Sequence, residues 1–492
     1  MNCLRSILVA GLFLSVGAWA AGQSATGQIP SEPDKGKKSQ PDAPDNGTSA
    51  AKDKDKDDGG DKKDKNGDDG KKDDKDKAGD LWPDWLSAHG QGTVVSQGNW
   101  KFRSPYQGPN SLLPIFNYRT TETATLYLDA KLGHGVDLVF NPEISGGRGL
   151  SGTTGLGGFP NGEATRVGMV QPTPYVARLF LRQVIGLGGE QEDIEDGPNQ
   201  LAGKRDVNRV TFRVGKMSAT DVFDDNTYSH DPRTQNLNWS LMANGAWDFP
   251  ANTRGYTYGI AVDWNQKDWA WRYGVFGEPT EANGSDIDPK LLKANGHATE
   301  FEYRFTAADR PGKVRLLAYG NNAHMGNYRD ALQVAGTGPP DVTATRAYRT
   351  KYGFGLNLEQ ELTEDLGAFA RLGWNDGRTE TWAFTEIDRT ASAGLVWKGT
   401  SWSRPADRLG VAVVVNGLSD PHRDYLAAGG IGFIVGDGAL RYGPEEIIET
   451  YYSLQIRKGI VLSFNFQGVN HPAYNRDRGP AAIAAVRAHF EY

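Results

Sequence analysis

Beyond Asp80, apolar and polar side chains alternate with a period of two. Ala484, Val486, Ala488, Phe490 and Tyr492 fall on one face of a C-terminal strand, and Ala485, Arg487, His489 and Glu491 on the other. The pattern recurs in Ile460, Leu462, Phe464 and Phe466 against Ser463, Asn465 and Gln467. It recurs in Ala124, Leu126, Leu128, Ala130 and Leu132 against Thr123, Thr125, Tyr127, Asp129 and Lys131. Val210, Phe212 and Val214 oppose Arg209, Thr211 and Arg213, and Phe301, Tyr303 and Phe305 oppose Glu300, Glu302 and Arg304. These segments describe an antiparallel sheet with one apolar and one charged face.

A soluble sandwich also alternates, but its polar face seldom carries so many arginines and carboxylates. Here Trp269, Trp271 and Tyr273 flank Arg272, which fits aromatic girdles around a lipid-facing band with a polar lumen behind it. No apolar run of about 20 residues follows residue 20, so a helical span is unavailable, and a closed barrel pairs every backbone group without edges. The expected fold is an all-β transmembrane antiparallel barrel over residues 81–492. At roughly 25 residues per strand plus connection, with spans of about 9 to 11, it has about 16 strands, 18 being possible. The ending Phe490-Glu491-Tyr492 resembles the C-terminal aromatic signal of bacterial outer-membrane barrels, implying contact with the barrel-assembly machinery through Phe490 and Tyr492.

Composition agrees. The 492 residues hold 62 glycines and 10% aromatics with only 38% hydrophobic residues, which argues against a large helical core. The net charge of -7 offers no basic excess for nucleic acid. The single cysteine, Cys3, excludes a disulfide framework and a cysteine metal site.

Arg5, the apolar run 7–16 and Ala18-Trp19-Ala20 read as a secretory signal over residues 1–20, expected to be cleaved during export. Residues 21–80 lack aromatics and read as a disordered periplasmic tether. Of the 26 residues 52–77, 10 are Lys and 11 are Asp, so the segment is strongly hydrated yet nearly neutral. Asp53, Asp55 and Asp57 have the alternate spacing of a calcium loop. Asp58 and Asp64 occupy the places where such a loop needs Gly and a bidentate Glu, so calcium is not expected.

Several blocks resemble the OprB-type carbohydrate-selective porin family: Phe102-Arg103-Ser104-Pro105-Tyr106, Asn141-Pro142-Glu143, Asp221-Val222-Phe223-Asp224, Tyr228-Ser229-His230-Asp231-Pro232-Arg233, Gly373-Trp374-Asn375-Asp376-Gly377-Arg378 and Pro472-Ala473-Tyr474-Asn475-Arg476-Asp477-Arg478. The resemblance spans most of residues 100–492. It implies an outer-membrane channel for monosaccharides and small sugars, with loops folded inward to form a charged, aromatic eyelet. Facing donors and acceptors can replace a sugar's hydration, and weak binding permits conduction.

The segment 215–239 is the expected constriction. It leaves a clear strand, is too long for a turn, and packs Asp221, Asp224, Asp225, Asn226, His230, Asp231 and Arg233 between and beyond Phe223 and Tyr228. Sugar-binding ladder and loop-to-wall ion pairing are both open readings. Arg209, Arg213 and Lys216 on the preceding strand are expected on the lumen side, and Arg487, His489 and Glu491 near the periplasmic exit. Residues 474–478 are expected to guard or rigidify the outer mouth. The glycine-rich stretch 146–162 lacks a Gly-Lys-Ser/Thr ending and is read as a surface loop. Residues 363–367 are read as a periplasmic hairpin turn.

No Gly-x-Ser-x-Gly or His-Glu-x-x-His motif is present. The expected function is therefore facilitated diffusion of carbohydrates across an outer membrane, with lipid and sugar as partners and neither cofactor nor metal. The alternatives are a general or structural barrel and, less favoured, a barrel enzyme. No sequence feature fixes the oligomeric state.

Overall fold

The computed structural model describes residues 82–167 and 170–492. The expected export signal, the tether and the rejected calcium loop lie outside the described residues.

Alternation builds the strands in order. The first four are β1 (Leu86–Asn99), β2 (Asn117–Gly133), β3 (Val136–Gly147) and β4 (Thr173–Gly186). A side hairpin follows, β5 (Gln191–Ile194) with β6 (Gly203–Asp206). The barrel resumes with β7 (Arg209–Met217), β8 (Thr257–Asn265), β9 (Trp269–Gly277), β10 (Asn295–Ala307), β11 (Arg310–Met325) and β12 (Ala347–Thr363). It ends with β13 (Leu366–Asn375), β14 (Arg389–Gly399), β15 (Arg404–Gly417), β16 (Glu445–Arg457), β17 (Ile460–Asn470) and β18 (Ala481–Glu491). Sixteen of these close one antiparallel barrel, with β5 and β6 apart from it, so the count is 16 rather than 18. Closure runs through β1 and β18, with Val95 opposite Arg487 and Thr93 opposite His489. No sheet edge is left to be satisfied by lipid.

The faces follow the sequence pattern. Leu126, Phe212, Val214, Phe301, Phe464 and Val486 are exposed on the outer wall, whereas Thr125, Thr211, Glu300, Asn465 and Arg487 are buried inside. Short turns, including 364–365, gather at the end where β1 starts and β18 finishes, the periplasmic end of such barrels. The long connections gather at the other end and fold into the lumen. Three short helices lie in them: α1 (Trp239–Met242), α2 (Tyr328–Val334) and α3 (Asp420–Ala427).

These loops bring an apolar core of their own. Phe249 lies 4.4 Å from Phe384 between ring centroids, Trp239 5.7 Å from Phe384, and Phe159 5.4 Å from Trp239. The stretch 146–162 belongs to this core, which corrects its reading as a surface loop. Leu150, Leu156 and Phe159 are wholly buried. The Gly157 and Gly158 amides donate to the Glu445 carboxylate at 3.1 and 2.7 Å. Gly155 adopts a φ of +91° and lies so close to the Leu112 backbone that a Cβ would collide with it. Its glycines serve close approach inside the barrel rather than exposure.

At the mouth, Tyr474 is buried and its hydroxyl donates to the Glu386 carbonyl at 2.6 Å. Arg478 donates to the Leu112 and Tyr106 carbonyls at 2.5 and 2.8 Å. This connection ties loops together rather than projecting over the mouth.

Candidate functional site

The connection 218–256 leaves β7 and folds across the lumen. A buried loop must find partners for its amides, and the inward carboxylates of the wall supply them. The Asp224 amide donates to Glu300 at 2.8 Å, the Thr227 amide and hydroxyl to Glu359 at 2.8 and 2.9 Å, and the Leu237 and Asn238 amides to Glu449 at 2.6 and 3.0 Å. The loop thus touches β10, β12 and β16 in turn, then reaches β18, where Arg487 donates to the Pro232 and Gln235 carbonyls at 2.5 and 2.8 Å.

The expected site residues separate into three groups. Asp224, Asn226, Arg233 and Arg487 are anchors. Asp224 pairs with Arg371 of β13 at 3.1 Å, and Asn226 donates to Asn357 at 2.7 Å while capping the Tyr228 and Ser229 amides. Arg233 donates to Glu143, Glu163 and Tyr127 at 3.0 to 3.1 Å. A second group faces free space: Asp225, whose side chain is 59% exposed, together with Asp221 and the half-buried His230 and Asp231. Asp221 forms a bidentate pair with Arg178 of β4 at 2.6 and 2.7 Å, and Asp225 lies 3.7 Å from Arg315 of β11. Arg213 joins this group from β7, with one buried guanidinium nitrogen left without a partner.

The third group lies elsewhere. Arg209 is engaged by Glu192 of the side hairpin at 2.9 Å, at the periplasmic end. Glu491 is exposed at that end and accepts from His489 at 2.8 Å. Lys216 corrects the sequence reading: it shares the outward register of Phe212 and Val214, opposite Leu179 and Tyr258, and its ammonium sits 5.8 Å from the Tyr258 ring. Alternation through Arg209, Thr211 and Arg213 places Gly215, not Lys216, on the lumen side.

The loop carboxylates stay ionised for a common reason. Burial favours the neutral acid in each, yet Arg178 holds Asp221 below the usual carboxylate range. Arg233 does so for Asp231, and His230 with Arg315, Lys313 and Arg272 for Asp225. Asp221 and Asp225 of the loop thus face Arg178 and Arg315 of the wall, whereas Asp231 is held by Arg233 of the loop itself.

The carbohydrate-selective porin, OprB family model matches residues 115–492, which is most of the barrel. The chain belongs to this family. Among solved structures, the high-pH structure of Pseudomonas putida OprB is 17% identical with a TM-score of 0.64, covering 83% of this chain and 94% of that chain. The Salmonella typhi OmpF complex with daunomycin is 12% identical with a TM-score of 0.46, covering 84% of this chain and 99% of that chain. Pseudomonas aeruginosa OccK8 (OprE) is 11% identical with a TM-score of 0.40, covering 83% and 98%. Curated protein sequences give no match.

As a member of this porin family the chain forms an outer-membrane sugar channel. Sequence reasoning did not single out the wall residues that meet the loop in this porin: Arg178 of β4 pairs directly with Asp221, Arg272 of β9 and Arg315 of β11 share Glu302, and Glu300 and Glu359 tie these two arginines to the loop amides. Arg272 donates to Glu300 and Glu302 at 2.7 and 3.2 Å, and Arg315 to Glu302 and Glu359 at 2.7 and 3.2 Å. The lumen parity of each strand was the available signal.

Proposed function

We propose that a sugar passing this porin exchanges hydration for hydrogen bonds between Asp221 and Asp225 on the loop and Arg178, Arg213, Arg272 and Arg315 on the wall. The observation that carries this is the exposed Asp225 carboxylate 3.7 Å from the Arg315 guanidinium, while Asp224 beside it is buried in bonds to Arg371, Asn357 and the Asn244 amide. Hydroxyls both donate and accept, so facing acceptors and donors match a neutral sugar, and shallow contacts let it leave. Asp225→Asn should alter the concentration dependence of glucose-induced current blockade in a planar bilayer while the barrel folds as before. Unchanged blockade in the folded variant would remove Asp225 from the path.

The remaining assignments belong to the same reading. Residues 1–20 direct export and are removed, residues 21–80 form a periplasmic tether, and Phe490 and Tyr492 engage the assembly machinery. The protein acts as a channel and not as an enzyme, supported by the family and by lumen charges that hold a loop and face a passage. Deleting residues 31–79 should leave heat-modifiable folded barrel and conductance unchanged.

A further inference from the structure

The rim of the barrel carries a cavity of about 580 Å³ lined by Arg329, Arg378, Arg389, Asp376, Asp420 and neighbours from the connections after β11, β13 and β15. Its volume suits a ligand of one or two sugar rings. Its position is set by register. Arg389 opens β14 opposite Trp374, in the outward phase shared with Ala391 and Ala393, whereas Asn375, Thr390 and Ser392 point into the barrel and are buried. The Arg389 guanidinium lies 4.8 Å from the Trp374 ring centroid, and Trp374 in turn packs on Tyr352 and Phe354 at 5.8 and 6.0 Å. Below this aromatic patch the outer wall continues with exposed Leu372, Val413 and Val415. The cavity therefore opens where the lipid-facing band gives way to the headgroup layer of the outer leaflet.

Its charge is only partly compensated. The carboxylates nearest in sequence are taken by other arginines: Asp330 by Arg349 and Glu380 by Arg346, both at 2.8 Å, and Asp420 by Arg423. Among the described residues Arg329, Arg378 and Arg389 have no carboxylate partner within ion-pair distance, and Asp376 offsets one of the three charges; one Arg389 nitrogen donates to the Asn375 and Asp388 carbonyls, leaving its other donors for a ligand. Two guanidinium charges remain over an apolar, membrane-facing wall. Guanidinium forks match phosphate oxygens bidentately and gain strength at a partly dehydrated rim.

We propose that this cavity binds the phosphorylated sugar headgroup of the outer-leaflet glycolipid, lipopolysaccharide, with Arg329, Arg378 and Arg389 on its phosphate and the acyl chains lying against Leu372, Val413 and Val415. This rests on the outer-membrane location and is independent of sugar conduction.

The test uses the full-length folded protein in detergent, titrated with purified lipopolysaccharide and read by native mass spectrometry. The triple variant Arg329→Ala/Arg378→Ala/Arg389→Ala should bind about tenfold more weakly or worse than the wild type. Dephosphorylated lipopolysaccharide should bind wild type as weakly as the variant binds the intact lipid. Millimolar inorganic phosphate should not displace the lipid. Should the triple variant fail to fold, the exposed Arg378→Ala alone should cost about threefold. Equal affinity of wild type and a folded variant, or indifference to dephosphorylation, overturns the proposal. Displacement by inorganic phosphate would make the site one for free anions and overturn its lipid assignment.

Discussion

Asp224 and Arg371 meet at 3.1 Å inside the barrel, each side chain almost wholly buried, and join the inward loop to β13 across the lumen from the strand where the loop begins. Arg371 also donates to the Ser229 and Leu241 carbonyls at 2.7 and 2.8 Å, so one guanidinium fixes both limbs of the loop. Asp224 itself sits at a φ of +57°, a conformation held by these bonds. Removing one member of a buried pair leaves an unpaired charge and costs about 3–5 kcal/mol. Asp224→Ala should therefore lower the thermal transition of the folded barrel and free the loop, giving larger, noisier single-channel conductance with flattened sugar selectivity. An unchanged conductance would show that the loop does not set the aperture.

Its neighbour should behave oppositely. Asp225→Asn removes a charge that is mostly exposed, and surface pairs contribute little to stability. The thermal transition should stay within error of the wild type while the cation-to-anion permeability ratio of the channel falls. A reversal potential identical to wild type in a salt gradient would argue that Asp225 is not at the narrowest point.

The inward carboxylates fix a pH window. Asp221, Asp225 and Asp231 are held below the usual carboxyl range, so their pairing stabilises the loop above the unfolded value of about 3.9 and is lost as pH falls through the folded values. The stability that these three carboxylates contribute should be lost only below about pH 4, read as a fall in thermal transition and a change in sugar flux there. A transition near neutral pH would point to a different titrating group.

Gly367 of β13 lies under the Tyr228 ring, and a Cβ there would enter the ring's van der Waals shell. Gly367→Ala should push Tyr228 and the loop off the wall at a cost of about 1–3 kcal/mol. Lowered barrel melting with restored stability in Gly367→Ala/Tyr228→Ala would confirm that this contact is responsible.

The period-two pattern carried the barrel and its two faces, because lipid outside and water inside impose opposite chemistry on successive residues, while chain length alone put the strand count at about 16 and left 18 open. It also placed Glu300, Glu302 and Arg272 inward. It could not separate a carboxylate that faces a solute from one that caps a loop amide. Asp224 and Asp225 are adjacent and identical in type, and only the register of Asn357 and Arg371 on remote strands distinguishes anchor from lining. The glycines of 146–162 misled for the same reason: a loop that needs close approach inside a lumen and one exposed to water look alike in composition. Lys216 was misplaced by charge, although counting from Arg213 puts it on the outer face.

The most direct measurement of the central claim is swelling of liposomes containing the refolded protein, comparing glucose and xylose with amino acids of matched size. Sugar entry faster than that of the size-matched amino acids, and a reduced difference in Asp225→Asn, is the predicted result. Rates ordered by size alone in wild type and variant would contradict sugar selection at the Asp225–arginine eyelet.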